Sequence, residues 1–158
     1  MLSIRAVTSR DTEVWLRMRC ELWPDEPAGH RSAIARFFAG DRREPAEALI
    51  AFDGAGEPVG FVELSIRNIV DGCDTGNVGY LEGWYVVASA RRQGVGRALI
   101  AAAEQWARQQ ACAEFGSDAL IDNDVSLAAH RALGFEETGR VCNFRKALRV
   151  HPRIVSNR

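Results

Sequence analysis

A chain of 158 residues is long enough to bury one ordinary hydrophobic core and short for two, so one domain with one principal site is expected. Its 20 Lys and Arg against 21 Asp and Glu leave no basic field to hold nucleic acid, and 26% charged with 47% hydrophobic residues is a globular composition. No apolar run approaches the roughly 18 residues that a membrane span requires, charge arrives at Arg5 too early for a signal-peptide core, and Cys20, Cys73, Cys112 and Cys142 form no C-x-x-C pair. The expectation is a cytoplasmic protein with free thiols, with neither nucleic acid nor membrane as partner.

Leu2 to Val7 alternates as a short strand, and Thr8 to Asp11 offers capping residues before Val14, Trp15, Met18 and Leu22, spaced along one helical face that stops before Pro24. A second helix is predicted over 31–39, ended by Gly40. Ala48 to Phe52, the turn Asp53-Gly54-Ala55-Gly56 and Val59 to Ile69 predict a hairpin, and Gly72 to Gly79 a loop. Tyr80 to Ala88, aromatic and β-branched, predicts a central strand; Gly96 to Gln110 a helix with Leu99, Ile100, Ala103, Trp106 and Ala107 on one face. A strand over 114–117, a helix over 125–133 closed by Gly134, and a strand pair over 135–138 and 141–147 complete the order. The result is an α/β domain over 1–148, one mixed sheet with helices on its faces, followed by a polar tail over 149–158.

Charge is distributed unevenly. Residues 68–90 hold Asp71, Asp74 and Glu82 without a base, and 111–124 hold Glu114, Asp118, Asp122 and Asp124, again without a base; between them lie Arg91, Arg92 and Arg97. The basic run Arg91-Arg92-Gln93-Gly94-Val95-Gly96-Arg97 follows a predicted strand and opens a predicted helix. A helix start presents unpaired N–H groups and the positive end of its dipole, glycines let the backbone approach oxygen closely, and arginines add charge-assisted hydrogen bonds, so a pyrophosphate fits there.

This strand, R-x-x-G-x-G turn and helix resemble the acetyl-CoA signature of the GNAT N-acetyltransferases, and the element order fits the GNAT fold throughout. Within that superfamily, Leu22-Trp23-Pro24, Leu81-Glu82-Gly83, Ser117-Asp118, His130 to Phe135 and Phe144-Arg145-Lys146 resemble the aminoglycoside 6'-N-acetyltransferases, over roughly Ile4 to Ala147. The resemblance implies acetyl-CoA as cosubstrate, held by the strand residues Trp84, Tyr85, Val86 and Val87, by the turn from Arg91 to Arg97, and by Asn123 and Ser126. It implies Glu82 and Asp118 as the carboxylates that bind and help deprotonate the acceptor amine, with Trp23 against the sugar ring. Such relatives form homodimers.

The residues also admit plainer readings. Asn123 and Ser126 stand where a helix cap is expected, His130 sits in mid-helix as a structural residue, Trp23 fits a core, and single carboxylates are usually solvated. An amine is mostly ammonium at neutral pH, so a site must attract a cation and then take its proton; carboxylates with few bases around them raise one another's pKa and suit both tasks. Phe144 departs from the relatives, which carry a proton-donating tyrosine there, leaving Tyr85, Tyr80, water or no acid at all for the thiolate. A polyamine or protein N-terminal amine is the alternative acceptor, and an inert CoA-binding module the alternative to an enzyme. Three separated histidines suggest no metal.

Overall fold

The computed structural model describes residues 1–25 and 27–148. In chain order the elements are β1 (Ser3–Ala6), α1 (Thr12–Leu22), α2 (Pro27–Phe38), β2 (Glu47–Phe52), β3 (Pro58–Arg67), β4 (Val78–Val86), α3 (Val95–Gln109), β5 (Glu114–Ser117) and α4 (Asp124–Ala132). The five strands form one mixed sheet in sequential order, antiparallel from β1 to β4 and parallel between β4 and β5. The parallel step follows from chemistry: α3 carries the chain back across the sheet, which only a crossover of this length allows.

The alternation of β3 divides the core between the two faces. On one, Phe61 and Ile50 of β2 pack with Trp15 and Met18 of α1 and with Ile34 and Phe37 of α2. On the other, Val62, Leu64 and Leu81 pack with Leu99, Ile100 and Ala103 of α3. Trp15, Met18 and Leu99 are fully buried, and each such side chain contributes about 1.5–3 kcal/mol relative to exposure. Helices on both faces of a mixed sheet are the predicted architecture. At the start of α1, Asp11 accepts from the Thr8 backbone at 2.7 Å and pairs with Arg5 at 2.7 Å, tying β1 to the capping turn.

Two irregularities in β4 position the site. Glu63 pairs with Gly83 but Leu64 with Leu81, so Glu82 is the extra residue of a β-bulge. Pairing with β5 covers only Val78 to Leu81, so the edge of β4 beyond Leu81 has no β5 partner. The two strands part at the point where the bulge turns Glu82.

The predicted closing strand pair does not form: residues 135–148 have no regular structure. Phe135 packs against the α3 core, with its ring 5.9 Å from Phe115, but Val141 and Phe144 are exposed. Spacings of three and four between Val141, Phe144 and Leu148 do not alternate, so no buried face fixes a register for a strand. The predicted second strand of the hairpin also stops short, at Arg67, and leaves Ile69 in solvent. The tail over 149–158 lies outside the described residues.

Candidate active site

The turn before α3 has the geometry of an anion site. Arg92 and Gly94 both take positive φ, 62° and 84°, and Gly94 is the N-cap of α3 without any side-chain cap. The first N–H groups of this 15-residue helix are therefore left for another partner. A Cβ on Gly94 would touch nothing, so that glycine is required by its backbone conformation. Gly96 is required for a different reason: its Cβ would lie 2.9 Å from Trp84 Cζ2, so the helix start packs directly on the indole of β4.

The other predicted cosubstrate residues divide by what they touch. Arg91 Nε donates to Val86 O at 3.0 Å and Gln93 Nε2 to Ser89 O at 2.8 Å, so these side chains brace the turn from inside. Arg92 and Arg97 are exposed and form no ion pair among the described residues. Val95 is buried in the core, which leaves only its backbone facing the turn. Of the strand residues, the Val87 N–H is already committed to Val59 O at 3.0 Å, so the set of four is not uniformly open. The Trp84 indole Nε1 is buried without a partner among the described residues.

Asn123 is the cap that its plainer reading expected: its side chain accepts the Ser126 N–H at 3.0 Å at the start of α4. His130 is tied into the fold: its Nδ1 donates to Ser126 O at 2.8 Å, its Nε2 shares a hydrogen bond with the Ser117 hydroxyl at 2.9 Å, and the ring meets Trp84 and Phe135 edge-on.

The opposite side of β4 opens a cleft of about 600 Å³ between the α1–α2 corner and β3–β4. Trp23 is its half-buried wall, close enough to β4 that a Cβ on Gly83 would collide with its Cη2. His30 holds the corner by donating Nε2 to Trp23 O at 2.6 Å. Four carboxylates, Asp25, Glu44, Glu63 and Glu82, line the cleft against two arginines, Arg19 and Arg36, so it is acidic.

Glu82 is not the carboxylate with few bases that the sequence suggests. Arg67, across the pair from β3, holds it bidentately at 3.1 and 2.7 Å, and the Ser65 hydroxyl also donates to it. The base-free stretch of sequence is not base-free in space, because antiparallel pairing brings the end of β3 beside it. The Arg67 guanidinium stacks 3.6 Å over the Tyr80 ring, and burial together with the neighbouring Asp118 carboxylate pushes the Tyr80 phenol up to about 12. Glu82, Arg67, Tyr80 and Asp118 thus form one connected set, with Asp118 at its exposed end.

Two further carboxylates of the acidic zones serve elsewhere. Glu114 accepts the backbone N–H groups of Asp74 and Thr75, the latter at 2.7 Å, and Asp124 opens α4. The Tyr85 phenol donates to Glu21, and Phe144 is exposed, so neither is turned to the cleft lining.

Three site residues escaped the sequence reading: Arg67 beside Glu82, and the buried pair of Glu63 and Arg19. Glu63 is buried beneath the cleft, accepts Trp15 Nε1 at 2.7 Å, and lies 3.2 Å from Arg19 Nη1. Burial lifts its carboxyl to about 7 against the pull of Arg19 and the Trp15 hydrogen bond, with the Glu82 charge adding to the rise. A lone Glu within the apolar run Val59 to Ile66, and an Arg on the apolar face of the first helix, were the available signals of a buried pair. Among the described residues no group of three or more His, Cys, Asp or Glu could hold a metal, and no helix is long and apolar enough to cross a membrane.

An anion-binding helix start on one side of β4 and an acidic, aromatic-walled cleft on the other, joined where the sheet splays, suit transfer from a phosphorylated donor to a cationic acceptor. The profile of the Acetyltransferase (GNAT) family matches residues 12–135, and the chain belongs to that family. It is 53% identical over 146 residues to an aminoglycoside N(6')-acetyltransferase type 1 of Klebsiella aerogenes, covering 92% of this chain and 96% of that protein. A protein of the same name from Acinetobacter haemolyticus is 39% identical, covering 93% and 99%. Among solved structures, AAC(6')-Iy in complex with the bisubstrate analogue CoA-S-monomethyl-acetylneamine superposes with a TM-score of 0.85 at 37% identity, covering 94% of this chain and 99% of that one. AAC(6')-Ih from Acinetobacter baumannii gives the same TM-score, identity and coverage. Within the GNAT family the chain is thus an aminoglycoside N(6')-acetyltransferase by descent.

Proposed function

We propose that the chain transfers the acetyl group of acetyl-CoA to the 6'-amino group of aminoglycosides by direct attack in a ternary complex, the reaction by which such an enzyme confers resistance. The observation that carries this reading is the acidic cleft walled by Trp23 on the far side of β4 from an uncapped helix start. Acetyl-CoA supplies an acyl group already activated as a thioester. The α3 N–H groups with Arg92 and Arg97 hold its pyrophosphate, and the open edge of β4 beyond Leu81 receives its arm.

Glu82 and Asp118 draw the acceptor as a cation and position the amine, and Trp23 lies against the sugar ring, an apolar and cation-tolerant surface. The ammonium proton leaves to a carboxylate of this set or to water before attack. With Phe144 in solvent and the Tyr80 phenol held protonated up to about 12, a phenol is a poor acid for a departing thiolate, and the thiolate leaves without a dedicated donor. Asn123 and Ser126 border the cosubstrate site through the cap of α4. The protein acts in the cytoplasm and as a homodimer, the pairing being supported by the outer position of β5 in the sheet and the exposed Val141 and Phe144.

An acceptor screen with free-thiol release as readout tests the proposal. Kanamycin-like aminoglycosides are expected to be used far better than spermidine or a peptide amino terminus. Equal use of all three would favour a general amine acetyltransferase, and no thiol release with any would favour an inert CoA-binding module.

A further inference from the structure

Glu82 and Gly83 are neighbours in sequence yet face the same side of β4: Glu82 lines the cleft, and a Cβ on Gly83 would meet the Trp23 wall of that cleft. The bulge produces this, and it sets Glu82 against Ser65 and Arg67, which alternation places on one face of β3. A carboxylate offers about four lone-pair sites, and three of those on Glu82 are taken. Oε1 accepts the Ser65 hydroxyl and Arg67 Nε, the latter at 3.1 Å, and Oε2 accepts Arg67 Nη2 at 2.7 Å. The guanidinium is fixed in turn by stacking 3.6 Å over the buried ring of Tyr80.

A planar fork that engages both oxygens sets the plane of the carboxylate as well as balancing its charge. Glu82 therefore stands in the cleft lining in one orientation, with one acceptor site left on Oε2. Resting on the reading that Glu82 binds the acceptor amine, we infer that Arg67 is a positioning residue for acetyl transfer, whose fork holds the Glu82 carboxylate so that its remaining site takes the N–H of the reacting amine in a single direction. An amine held by one directed hydrogen bond keeps its lone pair aligned for attack, whereas a carboxylate able to turn would attract the same cation without orienting it. Charge alone predicts the opposite sign: a guanidinium beside the cleft repels an ammonium, so its removal would favour the acceptor.

Steady-state kinetics with kanamycin as acceptor test the assignment. Arg67→Gln is expected to lower kcat by roughly ten- to a hundredfold, and Arg67→Lys, which keeps the charge and loses the fork, by roughly tenfold. KM should stay within about threefold for the acceptor and about twofold for acetyl-CoA, because orientation is used in the transition state and not in capture of the cation. In a Glu82→Gln background, where no carboxylate is left to orient, the same substitutions should cost less than about threefold in kcat.

Wild-type kcat in Arg67→Lys would show that charge suffices and overturns the assignment. So does a loss in the Glu82→Gln background as large as in the wild type, the result that general damage to β3 would give. Should Arg67→Gln fail to fold, Arg67→Lys measured in both backgrounds decides by the same two criteria. Failure of the underlying reading is separable: Glu82→Gln with unchanged acceptor kinetics removes Glu82 from the acceptor site, whereas a large Glu82→Gln effect beside near-wild-type Arg67 variants removes only the role of Arg67.

Discussion

At Glu82 one carboxylate answers Arg67 and Ser65 while lining the acidic cleft proposed to take the acceptor, so Glu82→Gln removes a negative charge and also leaves Arg67 as an uncompensated cation beside that cleft. Asp118→Asn removes charge at the exposed end of the same set without freeing a cation. Asp118→Asn is therefore expected to lower aminoglycoside kcat/KM by about 1–3 kcal/mol, and Glu82→Gln by more, with acetyl-CoA use little changed. Because Asp118 is exposed, its effect should shrink as salt rises and should be smaller for a monoamine than for an acceptor with several ammonium groups. Steady-state kinetics across ionic strength check this; two variants with wild-type acceptor kinetics would remove both residues from the site. Glu82 and Asp118 were legible because they belong to short motifs of a known family. Arg67, Arg19 and Glu63 were not, because their pairing depends on strand register and on which helix face lies over which strand.

Between β4 and α3, two glycines two residues apart are needed for different reasons, and substitution separates them. Gly94→Ala places a side chain at φ 84° in open space, so it strains the turn by about 1–2 kcal/mol without disturbing packing. Gly96→Ala pushes a methyl to 2.9 Å from the Trp84 ring and must move the start of α3 or the indole. Both should weaken CoA binding in calorimetry, but only Gly96→Ala should also change the fluorescence of Trp84, and Trp84→Phe should partly relieve it. CoA affinity unchanged in both would remove this turn as the pyrophosphate site. The elements themselves were legible from periodicity, and the strand over 114–117 has the predicted bounds. What periodicity could not show was the bulge at Glu82, which adds a residue without changing the pattern of side-chain types, and the closing strand pair, where apolar residues suggested strands that no buried face supports.

Across the whole molecule, the sheet keeps the turn proposed to hold acetyl-CoA and the cleft proposed to take the acceptor on different faces of β4, and the cost of the acidic cleft falls on Glu63, a carboxylate 2% exposed beneath it. That cost sets a pH dependence of folding. Unfolded, Glu63 titrates at its ordinary value of 4.5; folded, its carboxyl is lifted to about 7, chiefly by burial. Between these values the folded chain keeps a proton that the unfolded chain has released, so the stability Glu63 contributes is full below the lower value and is lost as pH rises through the upper one. Asp11 and Glu137, held low by Arg5 and by Arg140 with Arg131, act in the opposite sense and below this window, losing their stabilisation only as pH falls through their depressed values. Glu63→Gln resembles the protonated side chain at every pH. Thermal melts should therefore show the wild type losing stability from about pH 5 to about pH 8, and Glu63→Gln as stable as the wild type at the lower pH and more stable at the higher one. The outcome discriminates between the two forces at this site. If the attraction of Arg19 outweighed burial, the variant would instead be the less stable protein at about pH 8, because it would leave a buried guanidinium without its counter-charge.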